Sequence, residues 1–504
     1  MLNGLQLGEF VYEQPTTGEL EFVFKHALTQ EVAANSMLLE RRKMLHARTA
    51  EAIEALFADS IEAHINELAH HYEQSANVAQ AAQYLWRAGI QAKEHSAYGS
   101  AEIHLSSGLG LLSKLPESAQ RDELEVKLQL AMGDLQLASK GYGAEEPEAA
   151  FLRAEELCDR VGDSSGLFAV EMGLITIHEI RGEIRATLKR EERLFDLAAG
   201  DSEKTATAHV MMGRGLFWTG ELTPSHEHIE SALLLYGTAP RPPRQSNQSS
   251  TEVFLRECWT YSAWTLWYLG YPDQAVEKIR RTLRIARQKP HSDLLAGALC
   301  HAARVRLMRR EVQLVRELAE EASELATAQG FPSWVAESAM LRGWALAFSG
   351  HEEDGAELLL NGLAGERKIL DTGWYFGAWP AEACGKAGRF SDAFELVGDL
   401  LKPGHDVYVF EADLHRVKGE LFLATDPSKF EEAENSFRVA IDLAERSNLK
   451  SLSLSASISL ARLLRVTNRR DEARATLSKI YNWFTEGFDT ADLKDAKALL
   501  AELA

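Results

Sequence analysis

Apolar residues recur along most of this chain at the three- and four-residue spacing of amphipathic helices. Between about Asn35 and Phe57 they form a stripe of Leu38, Leu45, Ala52, Ile53 and Leu56, with Glu40, Lys43, Glu51 and Glu54 on the opposite face. Only the first twenty-five residues follow another pattern. Phe10, Val11 and Tyr12, then Phe22, Val23 and Phe24, are short β-prone runs around a turn-like Gln14-Pro15-Thr16-Thr17-Gly18, which predicts a hairpin. A hairpin and one helix make too little core to stand alone. Residues 1–57 are therefore expected to be a junction that rests on another domain, and the marginal part of the chain.

From about Ile61 onward nothing predicts a strand. Helical segments alternate with tight breaks at Gly182, Gly220, Gly270, Arg310, Gly350 and Gly388, and near Asp426 and Asn468. Successive breaks are 38, 50, 40, 40, 38, 38 and 42 residues apart. The long interval holds Gly237 to Ser250, with three of the thirteen prolines, which predicts an extended loop; without it the period is regular. Two helices per period predict an all-α helix-pair solenoid of tetratricopeptide type, which wants a large residue and a small one four later, then small, large and small in the second helix. Trp259 and Ala263 with Ala275 and Ile279 fit that register, Gly213 and Gly343 take the small position in other units, and Ala433, Phe437 and Ala440 match the second-helix triplet. The array is expected over 58–236 and 251–504, with 237–250 as the Pro-rich loop between them.

Hydrophobic residues make up 45% and charged residues 26%, a globular balance, and the net charge of −21 opposes binding of phosphate backbones or anionic lipid over the whole surface. Cys158, Cys258, Cys300 and Cys384 lie at least 42 residues apart, so no pair has metal-ligand or redox spacing, and their scarcity fits a reducing compartment. The start, MLNGLQLGEFVYEQ, lacks the basic and apolar regions of a signal peptide. No apolar stretch approaches the ~20 residues of a membrane helix. A cytoplasmic location is expected.

Three segments go beyond a generic repeat. FVFKHALTQEVAANSMLLERRKMLHARTAEAIE (Phe22 to Glu54) resembles the junction after the nucleotide-binding core of large bacterial signalling ATPases. EADLHRVKGELFLA (Glu411 to Ala424) and YNWFTEGFDTADLKDAKALL (Tyr481 to Leu500) resemble the last repeats of the same proteins. That family joins a class III adenylate/guanylate cyclase domain, an AAA-type ATPase domain and a C-terminal tetratricopeptide array. The resemblance covers essentially the whole chain, departing at Ala34, where the family often has tyrosine. It implies a winged-helix-like remnant over 1–57 and a sensor or interaction half without the motor. A phosphate-binding loop needs Gly-x4-Gly-Lys-Ser/Thr. The nearest approaches, Gly108 to Lys114 and Gly385-Lys386-Ala387, lack respectively a preceding strand and both the upstream glycine and the hydroxyl. Neither enzyme activity nor a cofactor is expected.

Candidate site residues fall in three groups. His64, His70 and His71 share a predicted helix, but the sequence nominates no further ligand, so no metal is expected. Lys25, His26, Arg41 and Arg42, with His46 and Arg48, form a basic cluster at the junction. It is read as pairing with Glu31, Glu40 and Glu51, or alternatively as a contact to nucleic acid. Eight of the ten tryptophans lie between Trp218 and Trp379. In the repeat register Trp259 packs inward, whereas Arg214, Trp264, Trp267, Arg304 and Trp344 face a concave groove. Trp and Arg dominate binding hot spots, so these five are candidates for gripping a peptide or partner domain; the alternative is internal packing. The function expected is a non-catalytic interaction or regulatory module. The alternatives are a piece of a cyclase-ATPase whose activity lies elsewhere, and a transcriptional regulator.

Overall fold

A computed structural model describes residues 2–15, 20–95, 97–140, 144–238, 248–288, 291–370, 376–402 and 406–504. They form two units, Met1–Ser139 with Glu146–Val170, and Lys140–Glu145 with Glu171–Ala504.

The first unit begins with α1 (Leu2–Leu7) and the predicted hairpin, β1 (Val11–Pro15) antiparallel to β2 (Leu20–Phe24), with Val11 opposite Phe24. The hairpin's turn, residues 16–19, lies outside the described residues. Next come α2 (Ala27–Asn35), α3 (Leu39–Leu56), a 3-10 turn over Ala58–His64, α4 (Ile65–Glu73), α5 (Val78–Glu94), α6 (Tyr98–Leu112), α7 (Ala119–Lys140) and α8 (Glu145–Val161). Ala50, Ile65, Leu68, Tyr72 and Leu85 form a small core. Helix α3 corrects the expected stripe. Leu38 is 81% and Leu56 76% exposed, and only Ala50 of this helix is buried. The helix turns Ala50 and Glu54 inward because the hydroxyls of Tyr72 and Tyr84 both donate to the Glu54 carboxylate, at 2.8 and 2.6 Å. More than half of the large exposed apolar side chains precede residue 58.

The second unit is built of helix pairs. These are α9 (Ser164–Ile180), whose residues through Val170 belong to the first unit, and α10 (Ile184–Leu197), α11 (Ser202–Trp218) and α12 (Leu222–Thr238), α13 (Gln248–Tyr268) and α14 (Pro272–Arg287), and α15 (Ser292–Met308) and α16 (Val312–Gln329). They continue through α17 (Pro332–Ala347) and α18 (Glu352–Leu370), α19 (Trp379–Lys386) and α20 (Phe390–Leu400), α21 (Glu411–Thr425) and α22 (Phe430–Arg446), and α23 (Lys450–Val466) and α24 (Arg470–Tyr481). A single helix, α25 (Ala491–Glu502), follows. The breaks read from the sequence are the turns inside these pairs. Gly182, Gly220, Gly270, Gly350 and Gly388 all have φ between 74° and 95°, and Arg310 and Asn468 take the same left-handed conformation at 58° and 62°. Each closes its helix in one way: Glu221 N–H reaches Leu216 C=O, Glu311 N–H reaches Arg306 C=O and Arg469 N–H reaches Leu464 C=O. The loop between α12 and α13 is shorter than predicted, since both helices run into the expected span; residues 239–247 lie outside the described residues.

Small residues let the paired helices touch. A Cβ on Gly343 would stand 2.6 Å from the Gly355 carbonyl, so α17 and α18 meet backbone to backbone. Ala263, Ala275 and Ile279, and Ala433, Phe437 and Ala440, are all buried at the contacts their register implied.

The array also closes on itself. Asp406 N–H donates to Gly182 C=O and Tyr408 N–H to Trp218 C=O, while the Asp406 carboxylate accepts from Arg185 N–H. Ser451 Oγ–H donates to Trp267 C=O. The amides of Asp273 and Gln274 donate to Glu486, and Gly487 N–H returns to Asp273 at 3.0 Å. Arg309 joins Pro272 C=O, Asp273 and Asp489. Trp218 meets Phe410 and Tyr271 meets Trp483 edge to face or tilted, adding apolar area to a seam that is otherwise polar.

Candidate functional site

That closure decides what becomes of the inner wall. Two neighbouring cavities lie along it, of about 350 and 80 Å³, and both are bordered by Arg310, Glu382, Arg416, Ser455 and Asp492. Together they form one trough from α15 to α25. Phe348, Val417, Leu421 and Ile458 give the larger cavity an apolar side, and Lys386, Glu420, Arg462 and Asp495 add charge.

The charged side chains are organised by Arg416, whose side chain is 5% exposed. Its Nε donates to Asp413 at 2.6 Å, Nη2 to Glu382 at 3.4 Å, and Nη1 lies 3.0 Å from Glu420 without hydrogen-bond geometry. Arg310 reaches the same group from the α15–α16 turn, 3.3 Å from both Glu382 and Asp492. Ser455 and Ser459 donate to Asp492 and Glu420 at 2.7 and 2.8 Å. Burial raises the Glu382 carboxyl above its ordinary range despite its two arginines. At Glu420 burial also pushes upward, but Arg416 and Ser459 outweigh it and hold the carboxyl low.

The five residues expected along an open groove lie deeper than that. Trp264 and Trp344 are 1% exposed, Arg304 3% and Trp267 6%, so their expected exposure is corrected. Trp264 packs among Tyr261 of its own helix and Phe217, His301 and Arg304 of adjacent first helices, while Trp267, Arg304 and Trp344 share the smaller cavity with Phe410, Asp413 and Ser451 of the returning segment. Arg304 stacks over Trp264 at 4.5 Å and lies 3.9 Å from Glu337 on α17. Arg214 bridges Glu179 on α9 and Glu257 on α13, the latter at 3.0 Å. Trp267, Arg304 and Trp344 do border the smaller cavity. Trp344 is the more informative of the tryptophans, because its Nε1–H has no acceptor. Trp259, expected inside, is instead half-buried beneath Arg281 and Lys278. Arg310, Glu382, Arg416 and Asp492 were not read as one group from sequence, although Arg310 was visible as the arginine among glycine turns.

A second buried polar group lies behind Arg304. His301 touches Thr260 at 3.2 Å, and burial with Arg256 and Arg304 nearby pushes its imidazole well below the usual range. Glu366 is pushed up to about 8 by burial and then by Glu337.

At the junction, Lys25 pairs with Glu9 and Arg42 donates to Asn35 Oδ1 at 3.0 Å, a neutral partner in place of the expected carboxylates. His26 and Arg41 are exposed. His64 lies in the 3-10 turn, stacked on Phe57, and not on the helix of His70 and His71. His71 Nδ1 meets His46 Nδ1 on α3 at 2.9 Å. Among the described residues no group of three His, Cys, Asp or Glu is arranged to hold a metal ion, and no helix is long and apolar enough to cross a membrane. Gly108 lies inside α6 and Gly385 inside α19, so neither stands on a strand-to-helix turn.

No family model matches the chain. An uncharacterised protein of Rhizobium meliloti (strain 1021) is 22% identical over 466 residues, covering 88% of this chain and 44% of that protein. The chain thus spans less than half the length of that curated relative. Among solved structures, the APC/C hetero-tetramer Cut9–Hcn1 is 13% identical with a TM-score of 0.48, covering 95% of this chain and 99% of that one. A Rap protein complexed with competence and sporulation factor is 10% identical with a TM-score of 0.47, covering 84% and 100%. A signal transduction ATPase with numerous domains and a tetratricopeptide repeat sensor, from Pyrococcus horikoshii, is 12% identical with a TM-score of 0.39, covering 100% and 59%. None of these bears on the chemistry of the trough.

Proposed function

We propose that the chain is a non-catalytic, cytoplasmic interaction module that holds a segment of a protein partner in the trough between α15 and α25. The observation that carries this reading is the trough itself: a cavity of about 350 Å³ with an apolar side and a charged side, continuous with a second one. Recognition sites combine such apolar area with a few placed polar groups. The resemblance of Phe22–Glu54, Glu411–Ala424 and Tyr481–Leu500 supports placing the module in a bacterial signalling system with an ATPase or adenylate cyclase. The greater length of the Rhizobium relative supports a second reading, in which such an array is one part of a larger polypeptide whose activity lies elsewhere.

Peptide display against the purified chain tests the site. Ala424 borders the larger cavity and is exposed, so Ala424→Trp fills the opening without emptying a core. Selected peptides are expected to lose binding to Ala424→Trp. Peptides that bind both proteins equally would place the interaction elsewhere.

A further inference from the structure

Arg310 occupies a backbone position that its own repeat does not favour. Five sister turns use glycine, which adopts φ > 0 freely, and Asn468 belongs to the next most tolerant residue type. An arginine there at φ 58° carries backbone strain, which persists where surrounding structure fixes it and clusters at functional sites. The side chain gained by that choice goes to the trough, where it borders both cavities. Its two carboxylate partners stand at 3.3 Å, longer than the ~2.8 Å of a well-made charged hydrogen bond.

A buried donor bordering the trough, the Trp344 Nε1–H, has no hydrogen-bond acceptor, whereas Arg416 Nη1 faces Glu420 at 3.0 Å. The carboxylates of the trough, by contrast, are all engaged: Glu382, Glu420 and Asp413 by Arg416, Asp492 by Arg310 and Ser455, and Asp495 by Arg462 at 2.8 Å. Buried donors left without acceptors are costly, and an incoming acceptor recovers that cost. What Trp344 lacks is an acceptor. Net attraction for a bare cation is correspondingly weak.

We propose that the trough takes a peptide through a carboxylate, terminal or side-chain, which accepts from Arg310 and Trp344 Nε1–H. The apolar side formed by Phe348, Val417, Leu421 and Ile458 receives a neighbouring aliphatic side chain. A peptide fits better than a small free acid because the two cavities share a wall and form a trough longer than one carboxylate fills. The inference rests on the interaction-module reading and adds to it the chemistry that is read.

Equilibrium dialysis of the full chain against a pool of N-acetylated tetrapeptides, followed by mass spectrometry, tests it. The pool is offered as free acids and as C-terminal amides, with glutarate in a separate arm. Free acids are expected to be retained, together with those amides that contain Asp or Glu. Arg310→Gly relieves the turn, so its melting temperature should stay or rise while retention falls about tenfold, the loss of one charged hydrogen bond. Trp344→Phe keeps most of the ring and removes the N–H, and should weaken retention several-fold. Equal retention of amides without Asp or Glu, or retention unchanged in both variants, overturns the carboxylate while leaving the interaction module standing. Retention of glutarate but of no peptide overturns the peptide source. Retention of nothing by a chain whose display-selected binders still depend on the Ala424 opening removes this inference alone.

Discussion

Trp344 and Glu366 are both buried and carry different consequences. Trp344 is buried against Phe348 in a stacked pair with centroids 4.5 Å apart. Trp344→Ala should therefore cost about 3–5 kcal/mol in urea unfolding, as expected for emptying a core site. Glu366 acts through protons. Its carboxyl titrates at about 8 in the fold against an ordinary value near 4.5. The folded state therefore binds the extra proton between those values. Stability tied to this group is full below about pH 4.5 and drains away as pH rises toward 8. Glu366→Gln should raise the melting temperature at pH 8.5 more than at pH 5.5, and equal effects at both would contradict the assignment. Sequence periodicity set Trp344 facing a groove, whereas the side chain is buried. Nothing local to Arg304 or Trp344 announces that residues beyond 400 return to cover the wall.

At the level of single elements, the helices were the most legible feature, and their faces the least. Seven of the eight paired turns from Gly182 to Asn468 close left-handed, on glycine or asparagine except at Arg310, and were visible for that reason; the turn at Asp426 is extended. Helix α3 shows what periodicity misses. Its apolar stripe competes with Glu54, and the two tyrosine hydroxyls from α4 and α5 decide the contest. The outcome leaves Leu38, Leu56 and their neighbours exposed, so amides of residues 2–56 should exchange within minutes while those of α15 and α17 hold for hours. One contact tying α3 to α4 is the His46–His71 pair. Burial lowers both imidazole pKa values, with the neighbouring histidines adding to the effect. Stability from the neutral pair is present above about pH 6.5 and is lost as pH falls below it, because the opened form binds the protons first. Limited proteolysis between residues 39 and 73 should accelerate on going from pH 7.5 to 5.5, and His46→Gln should blunt that acceleration.

For the molecule as a whole, the seam is the feature that a repeat count cannot give. A helix-pair array normally has energies set by nearest neighbours. Here Arg309 is held by Asp489, 180 residues further along, and Asp273 by Gly487, 214 residues away. Removing residues 482–504 should therefore raise hydrogen exchange in the α13–α14 and α15–α16 turns as well as in α23 and α24. Loosening confined to α23 and α24 would show that the seam carries no coupling.

The seam also fixes an order of events during synthesis. Helices α9 to α15 can pair as they emerge, since each contact joins neighbours. The bonds that Asp406, Tyr408 and Ser451 make to the carbonyls of Gly182, Trp218 and Trp267, however, cannot form until residues 406–451 have been made. Contacts of such long separation slow folding because the chain between them must be closed first. Until then the inner wall, with its tryptophans and arginines, stands open to water and to other chains. A nascent array of this kind is exposed to chaperones and to misassembly for longer than its local helix pairs would suggest.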